Sequence, residues 1–181
     1  MRFRSFYENL DEAYNGRKDR KFNKRYAAKN LADFKDEPLD INFDERILSL
    51  KRRVNQRFHE DILYVKDTNT VAANVTYYTF GNSIQLYYVY ENPKFEGLLK
   101  RLCLNYYLKN HYGIISSTNQ KPVEKKLWHE LVPEALNQHK KIVTLNLNSG
   151  KPPTALVSME EFHNFYNSGE DKKTSLRISN D

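Results

Sequence analysis

Alternation of apolar and polar positions is clearest between residues 62 and 90. Ile62-Leu63-Tyr64-Val65 reads as a short strand, residues 71–80 as a longer β-branched and aromatic one, and Ser83-Ile84-Gln85-Leu86-Tyr87-Tyr88-Val89-Tyr90 as a third. Asp67-Thr68-Asn69 supplies one turn and Gly81-Asn82 a two-residue hairpin connection. Three antiparallel strands are expected. The stretch Glu91-Asn92-Pro93-Lys94-Phe95-Glu96-Gly97 then breaks the alternation, and helical spacing takes over. Leu98, Leu99, Leu102, Cys103, Tyr106 and Tyr107 share one helix face, which Gly113 is expected to close as a left-handed cap.

Beyond it, Ile114-Ile115-Ser116 reads as a short buried strand. Thr118 or Asn119 caps a further helix with Pro122 in its first turn, Leu127, Trp128, Leu131 and Val132 as its apolar stripe and Pro133 late in it. Residues 142–147 and 155–157 read as strands about a turn at 148–150. Upstream, Ile47, Leu50, Val54 and Phe58 fall on one stripe and predict a helix over 43–58, with Asp44 and Glu45 at its start. Phe6, Leu10 and Tyr14 predict a short amphipathic helix near the start. From Asn167 the chain is polar and expected to be mobile. The expected organisation is a basic N-terminal extension over 1–40, one domain over 41–166 and a polar tail over 167–181, with no internal repeat.

Composition narrows the class. At 181 residues the chain suits one domain with appendages. Its 13 Tyr, 10 Phe and single Trp allow an aromatic core despite a negative mean hydropathy. No apolar run approaches a membrane span, the polar N-terminus lacks a signal-peptide core, and one cysteine excludes an internal disulfide, so a reducing intracellular setting is expected. The net charge of +6 favours acidic partners: nucleic acid, an acidic protein or a phosphate-rich cofactor. The densest basic patch, Arg17 to Arg25, is either a phosphate-gripping arm with Phe22 and Tyr26 stacking on bases, or a solvated surface.

Local signatures of the common enzymes are missing. The five histidines lack metal-ligand spacing, and no GxSxG, Walker A or GxGxxG is present. Cys103, in an apolar helix stripe, reads as core filler rather than nucleophile. The turn at 92–97 leaves a strand and opens a helix. Its N–H groups either cradle a pyrophosphate beside Lys94 or form an ordinary connection in which Gly97 supplies backbone freedom.

The element order from 62 to about 147 resembles the GNAT family of N-acetyltransferases. The resemblance implies an α/β (α+β) fold, a mixed and mainly antiparallel sheet flanked by helices. Lys94-Phe95-Glu96-Gly97-Leu98-Leu99 is similar to the family's Arg/Gln-x-x-Gly-x-Gly/Ala loop, with Lys94 preserving charge and Leu99 replacing the small last residue. It implies acetyl-coenzyme A or another acyl-coenzyme A as cofactor, with Tyr90, Lys94, Phe95, Gly97, Leu98 and Asn119 as candidate binding residues. Glu91 would be the base, and Tyr88 or Tyr90 would line the acceptor groove. Trp128 stands about where the family places its acidic Tyr, and an indole cannot supply that proton. Gly113 to Pro122, followed by Lys126-Leu127-Trp128-His129-Glu130-Leu131, resembles a pattern of bacteriophage-encoded relatives. The implied protein is an acyltransferase-like one acting on a protein or small amine in the host cytoplasm, or associated with the virion. The alternative is an inactive scaffold binding a host or virion protein, or nucleic acid through Arg17 to Arg25.

Overall fold

In the computed structural model, residues 33–39, 48–55, 58–66, 68, 70–118, 120–146, 152–170 and 173–180 are described. The basic patch from Arg17 to Arg25, the helix expected around Phe6 to Tyr14, and Asn119 lie outside them. Nine strands of the described residues make one sheet: β1 (Lys35–Glu37), β2 (Leu48–Val54), β3 (His59–Val65), β4 (Thr70–Phe80), β5 (Ser83–Glu91), β6 (Gly113–Ile115), β7 (Lys141–Leu145), β8 (Thr154–Ala155) and β9 (Ser175–Ser179). Their spatial order is β1-β2-β3-β4-β5-β6-β9-β7-β8. Every pairing is antiparallel except β5 with β6.

The expected meander is present, with Gly81 at φ +58 in its hairpin turn. After β5, a 3-10 turn (Pro93–Phe95) leads into α1 (Leu98–Leu102), a π-helical turn (Cys103–Tyr107) and α2 (Leu108–Asn110). Then come α3 (Pro122–Asn137) and α4 (Met159–Asn167). Leu98, Leu102, Tyr107, Trp128, Leu131 and Phe162 of these helices are buried in the main core with Leu63, Val75, Ile84 and Leu86 of the sheet. A second, smaller cluster holds Phe34, Ile62, Val71 and Tyr90, with Tyr88 packed against it. Ile62 alternates with Leu63 and Tyr90 with Val89, which puts this cluster on the opposite sheet face.

Four expectations are corrected. The helix expected over 43–58 is a strand where it is described. Leu48, Leu50 and Arg52 lie opposite Val65, Leu63 and Asp61, so the core-facing series ends in a cation that hides the period of two. Arg52 is tolerated there because its Nε and Nη2 donate to Asp61 Oδ1 and Oδ2 at 2.7 and 2.8 Å. The mobile tail expected after Asn167 instead supplies β9, seated between β6 and β7 with Leu176 and Ile178 fully buried. Gly113 has no positive φ and caps nothing; it opens β6, where a Cβ would meet Arg177 Nε at 2.9 Å and the Ile178 carbonyl at 3.0 Å. The N-cap of α3 is Lys121 rather than Thr118 or Asn119.

Candidate functional site

The sheet's parallel pair is short. β5 and β6 are in register only at Ser83 with Gly113, Ile84 with Ile114 and Gln85 with Ile115. β6 ends there, whereas β5 runs six residues further. Opposite β4, the register shifts between Thr76, which faces Tyr88, and Tyr77, which faces Leu86. Tyr87 is therefore the extra residue of a β-bulge, which bends β5 where it has left β6 behind. The two parallel strands thus stop pairing after Gln85, and the stretch from there to the helix start is a split in the sheet.

The loop at the end of the split has defined geometry. Asn92 Oδ1 accepts from the Lys94 N–H at 3.1 Å, and Asn92 Nδ2 donates to the Val71 carbonyl at 3.1 Å, so the turn is pinned to β4. Phe95 is buried and anchors the 3-10 turn, while Lys94 is exposed. Gly97 has φ +84, a conformation that only glycine takes without strain. Leu98 and Leu99 point their side chains into the core and leave only main chain to a ligand. Tyr90 is buried in the second cluster, and Tyr88 is half-buried beside it.

Glu91 is turned into this loop. Its Oε1 accepts from the Leu99 N–H at 2.8 Å. Burial pushes the carboxyl above its ordinary range, and bonds from the Leu99 and Gly97 amides pull it part of the way back. The loop amides thus already converge on an anion, and that anion belongs to the chain. Lys126, 2.7 Å from Glu96, adds a positive charge that also acts on Glu91.

The other wall of the split continues from β6 into α3. Gln85 Nε2 reaches the Ser116 carbonyl at 3.4 Å. Glu124 is buried and accepts from the Ser117 N–H at 2.7 Å and from the Ser117 hydroxyl. Lys121 Nζ lies 5.7 Å from the centroid of the Tyr88 ring, across the opening. Tyr166 Oη donates to Gln120 Oε1 at 2.6 Å, one residue before Lys121. Sequence reasoning missed Lys121, Glu124 and Tyr166, because only packing brings Lys121 over Tyr88, Glu124 onto Ser117 and Tyr166 onto Gln120. Trp128 is fully buried. Burial raises the thiol pKa of Cys103, which suits core packing and not attack.

Glu124 carries a pH signature. Burial raises its carboxyl above the ordinary 4.5, against the lowering effect of the Ser117 bonds. Its contribution to stability is complete below the unfolded value and is lost as pH rises through the higher folded value. Relative to Glu124→Gln, the wild type is therefore expected to lose stability as pH rises from the ordinary 4.5 through the raised folded value, and to change no further above it. Urea midpoints measured across that range check the sign, and parallel curves for the two proteins contradict it.

Among the described residues, no group of His, Cys, Asp and Glu has the arrangement of a metal site, and no helix is long and apolar enough to cross a membrane. An open recess of about 380 Å³ lies away from the split, lined by Thr144, Asn146, Thr154 and Glu170 among others. No protein-family model and no curated protein matches the chain. One solved structure similar to it, from Bacteroides thetaiotaomicron, is described as a "putative acetyltransferase from GNAT family". Identity is 16%, the TM-score is 0.37, and 69% of this chain is covered. The chain spans 62% of the length of that protein. The fold reading rests instead on the strands themselves: a mixed, mainly antiparallel sheet whose one parallel pair is split.

Proposed function

We propose that this chain binds an acyl-coenzyme A in the split between β5 and β6 and transfers the acyl group to an amine of a protein or small molecule. The observation that carries the reading is the short parallel register, Ser83 to Gln85 only, followed by a bulge and a glycine-bearing turn into a helix. The phage origin is a finer point, supported by the sequence pattern from Gly113 to Leu131 alone.

The residues present fit the group. The amides of Leu99 and Gly97 hold a carboxylate now, which is the chemistry a diphosphate needs, and a Cβ built on Gly97 meets nothing within 4 Å. A bound diphosphate has to share the corner with Glu91 or displace it. Lys94 is exposed beside the turn and adds charge, while Phe95 and Leu98 hold the loop from within. The bound donor supplies an activated thioester; the chain supplies position and proton transfer. Main-chain N–H groups of β5 around the Tyr87 bulge are suited to polarising a carbonyl laid along the strand. Tyr88 lines the acceptor side. Glu91, to take a proton from an acceptor, has to release Leu99, and its raised pKa suits that task. Tyr166, bonded to Gln120 next to Lys121, is the candidate to return a proton to the leaving thiolate, which the Trp128 indole cannot do.

Calorimetry on Gly97→Trp tests this. The new side chain leaves the loop into open space, so the fold loses only the roughly 1–2 kcal/mol of a non-glycine residue at positive φ. Coenzyme A is expected to bind the wild type and not the folded variant. Equal heats from both proteins, or none from either, contradict the reading.

A further inference from the structure

We propose that Lys121 is an internal acyl acceptor, a self-modification site at the mouth of the split. The inference rests on the acyl-coenzyme A reading above and names an acceptor for it.

Lys121 is the N-cap of α3, at φ −73 and ψ 159, and Pro122 follows it at the first helical position. Its backbone is therefore set by the start of a sixteen-residue helix and not by a free loop. From there the exposed side chain reaches over the ring of Tyr88, 5.7 Å from its centroid. Tyr88 belongs to the part of β5 that has run past the end of β6. One primary ammonium thus crosses from the β6 wall to the β5 wall, next to the bulged Tyr87. The acceptor amine of an acyltransferase has to approach there if the thioester carbonyl lies along β5.

The neighbouring lysines are engaged elsewhere. Lys125 Nζ lies over the Tyr166 ring at 5.6 Å, and Lys126 Nζ is 2.7 Å from Glu96. Glu124, three residues into the same helix, interacts electrostatically with Lys121. Its carboxylate is held by the main-chain and hydroxyl groups of Ser117. A cation–π contact at an exposed position is weak enough for the side chain to swing, so Tyr88 orients the amine without trapping it.

The transfer balances. The exposed Lys121 ammonium gives up one proton to solvent, and the lone pair of its Nζ attacks the thioester carbonyl carbon. The C–S bond breaks, and the second proton that the nitrogen sheds as the amide forms passes to the departing sulfur, giving the free thiol. Nothing is oxidised or reduced, and the product is an amide on Lys121. Acylation removes the charge that sits over Tyr88 and so breaks the bridge across the opening.

The experiment incubates the full chain with acetyl-coenzyme A and maps acetyl-lysine by peptide mass spectrometry. A urea-unfolded sample gives the chemical background, and calorimetry with coenzyme A runs in parallel on every variant. Lys121 is expected to react at least about ten-fold faster than other lysines, and to lose that advantage on unfolding, as expected for a positioned nucleophile. Tyr88→Ala should lower the rate at Lys121 several-fold. Lys121→Arg should keep its fold by circular dichroism and take up less total acetyl than the wild type. Uniform labelling of all lysines, or a preference that survives urea, overturns the proposal. Coenzyme A bound without acetyl on Lys121 overturns it and leaves the binding reading standing; absence of binding overturns both.

Discussion

Ending the chain at Thr174 is expected to abolish cooperative unfolding. The deletion removes β9, whose residues pair with Gly113 to Ile115 on one side and with Lys141 to Leu145 on the other. It also takes out Leu176 and Ile178, both fully buried in the main core. Burial of two aliphatic side chains is worth about 3–6 kcal/mol in total, against about 5–15 kcal/mol for a whole domain. The loss of strand pairing adds to this, because β6 and β7 would each face water with an unpaired edge in the middle of the sheet. Thermal melts followed by circular dichroism check it. A truncated chain that melts sharply at the wild-type temperature would show that β9 is dispensable.

Replacing Asp61 by Ala should cost about 3–5 kcal/mol, the range for stranding one half of a buried ion pair. Asp61 is fully buried and accepts both bonds of the Arg52 guanidinium, and Tyr107 Oη donates to its Oδ2 at 2.8 Å. Arg52 also donates to Tyr106 Oη at 3.3 Å and has Glu37 3.6 Å away. The π-helical turn Cys103–Tyr107 carries both tyrosines, so the irregular helix and the buried charge belong to one arrangement. Without Asp61, the guanidinium keeps Glu37 at 3.6 Å, the neutral Tyr106 hydroxyl and the Tyr77 and Tyr106 rings. Removing both charges with Arg52→Met and Asp61→Leu should restore most of the loss, because burying the pair is itself expensive. Urea denaturation of the single and double variants measures this. An Asp61→Ala protein within about 1 kcal/mol of wild type would contradict the role, since that is the range of exposed pairs.

Residues 71–80 were legible through their β-branched and aromatic content and 83–90 through alternation, and β4 and β5 follow them closely although apolar side chains are buried on both faces of the sheet there. β2 was misread because Arg52 sits on its core-facing side, a position that Asp61, nine residues later, makes tolerable. Spacing of three and four among Ile47, Leu50, Val54 and Phe58 then looked helical by coincidence. β9 carried a usable signal, Ser175-Leu176-Arg177-Ile178-Ser179 alternating strictly, but its polar approach from Asn167 masked it. α4 was missed although Ser158 and Glu161 form a capping box, each side chain accepting from the other's backbone.

The candidate site divides along the same line. The loop from Asn92 to Gly97 was visible because a turn glycine between a strand and a helix is a local pattern. That Glu91 faces the amides of that loop was not visible, since it follows from how β5 ends against α1. Lys121 and Glu124 open α3, and only tertiary packing brings Lys121 over Tyr88 and Tyr166 of α4 onto Gln120. Side chains brought together in that way leave no spacing to read.

The measurement closest to the central claim is an amide-resolved nuclear magnetic resonance titration of the full chain with coenzyme A. Saturable shifts are expected to concentrate at Gly97 to Lys100, at Tyr87 and Tyr88, and at Ser116 to Lys121. Amides of β2 and β3 should stay still. Shifts spread over the basic surface and erased by moderate salt, or a spectrum that coenzyme A leaves unchanged, would contradict a thioester site between β5 and β6.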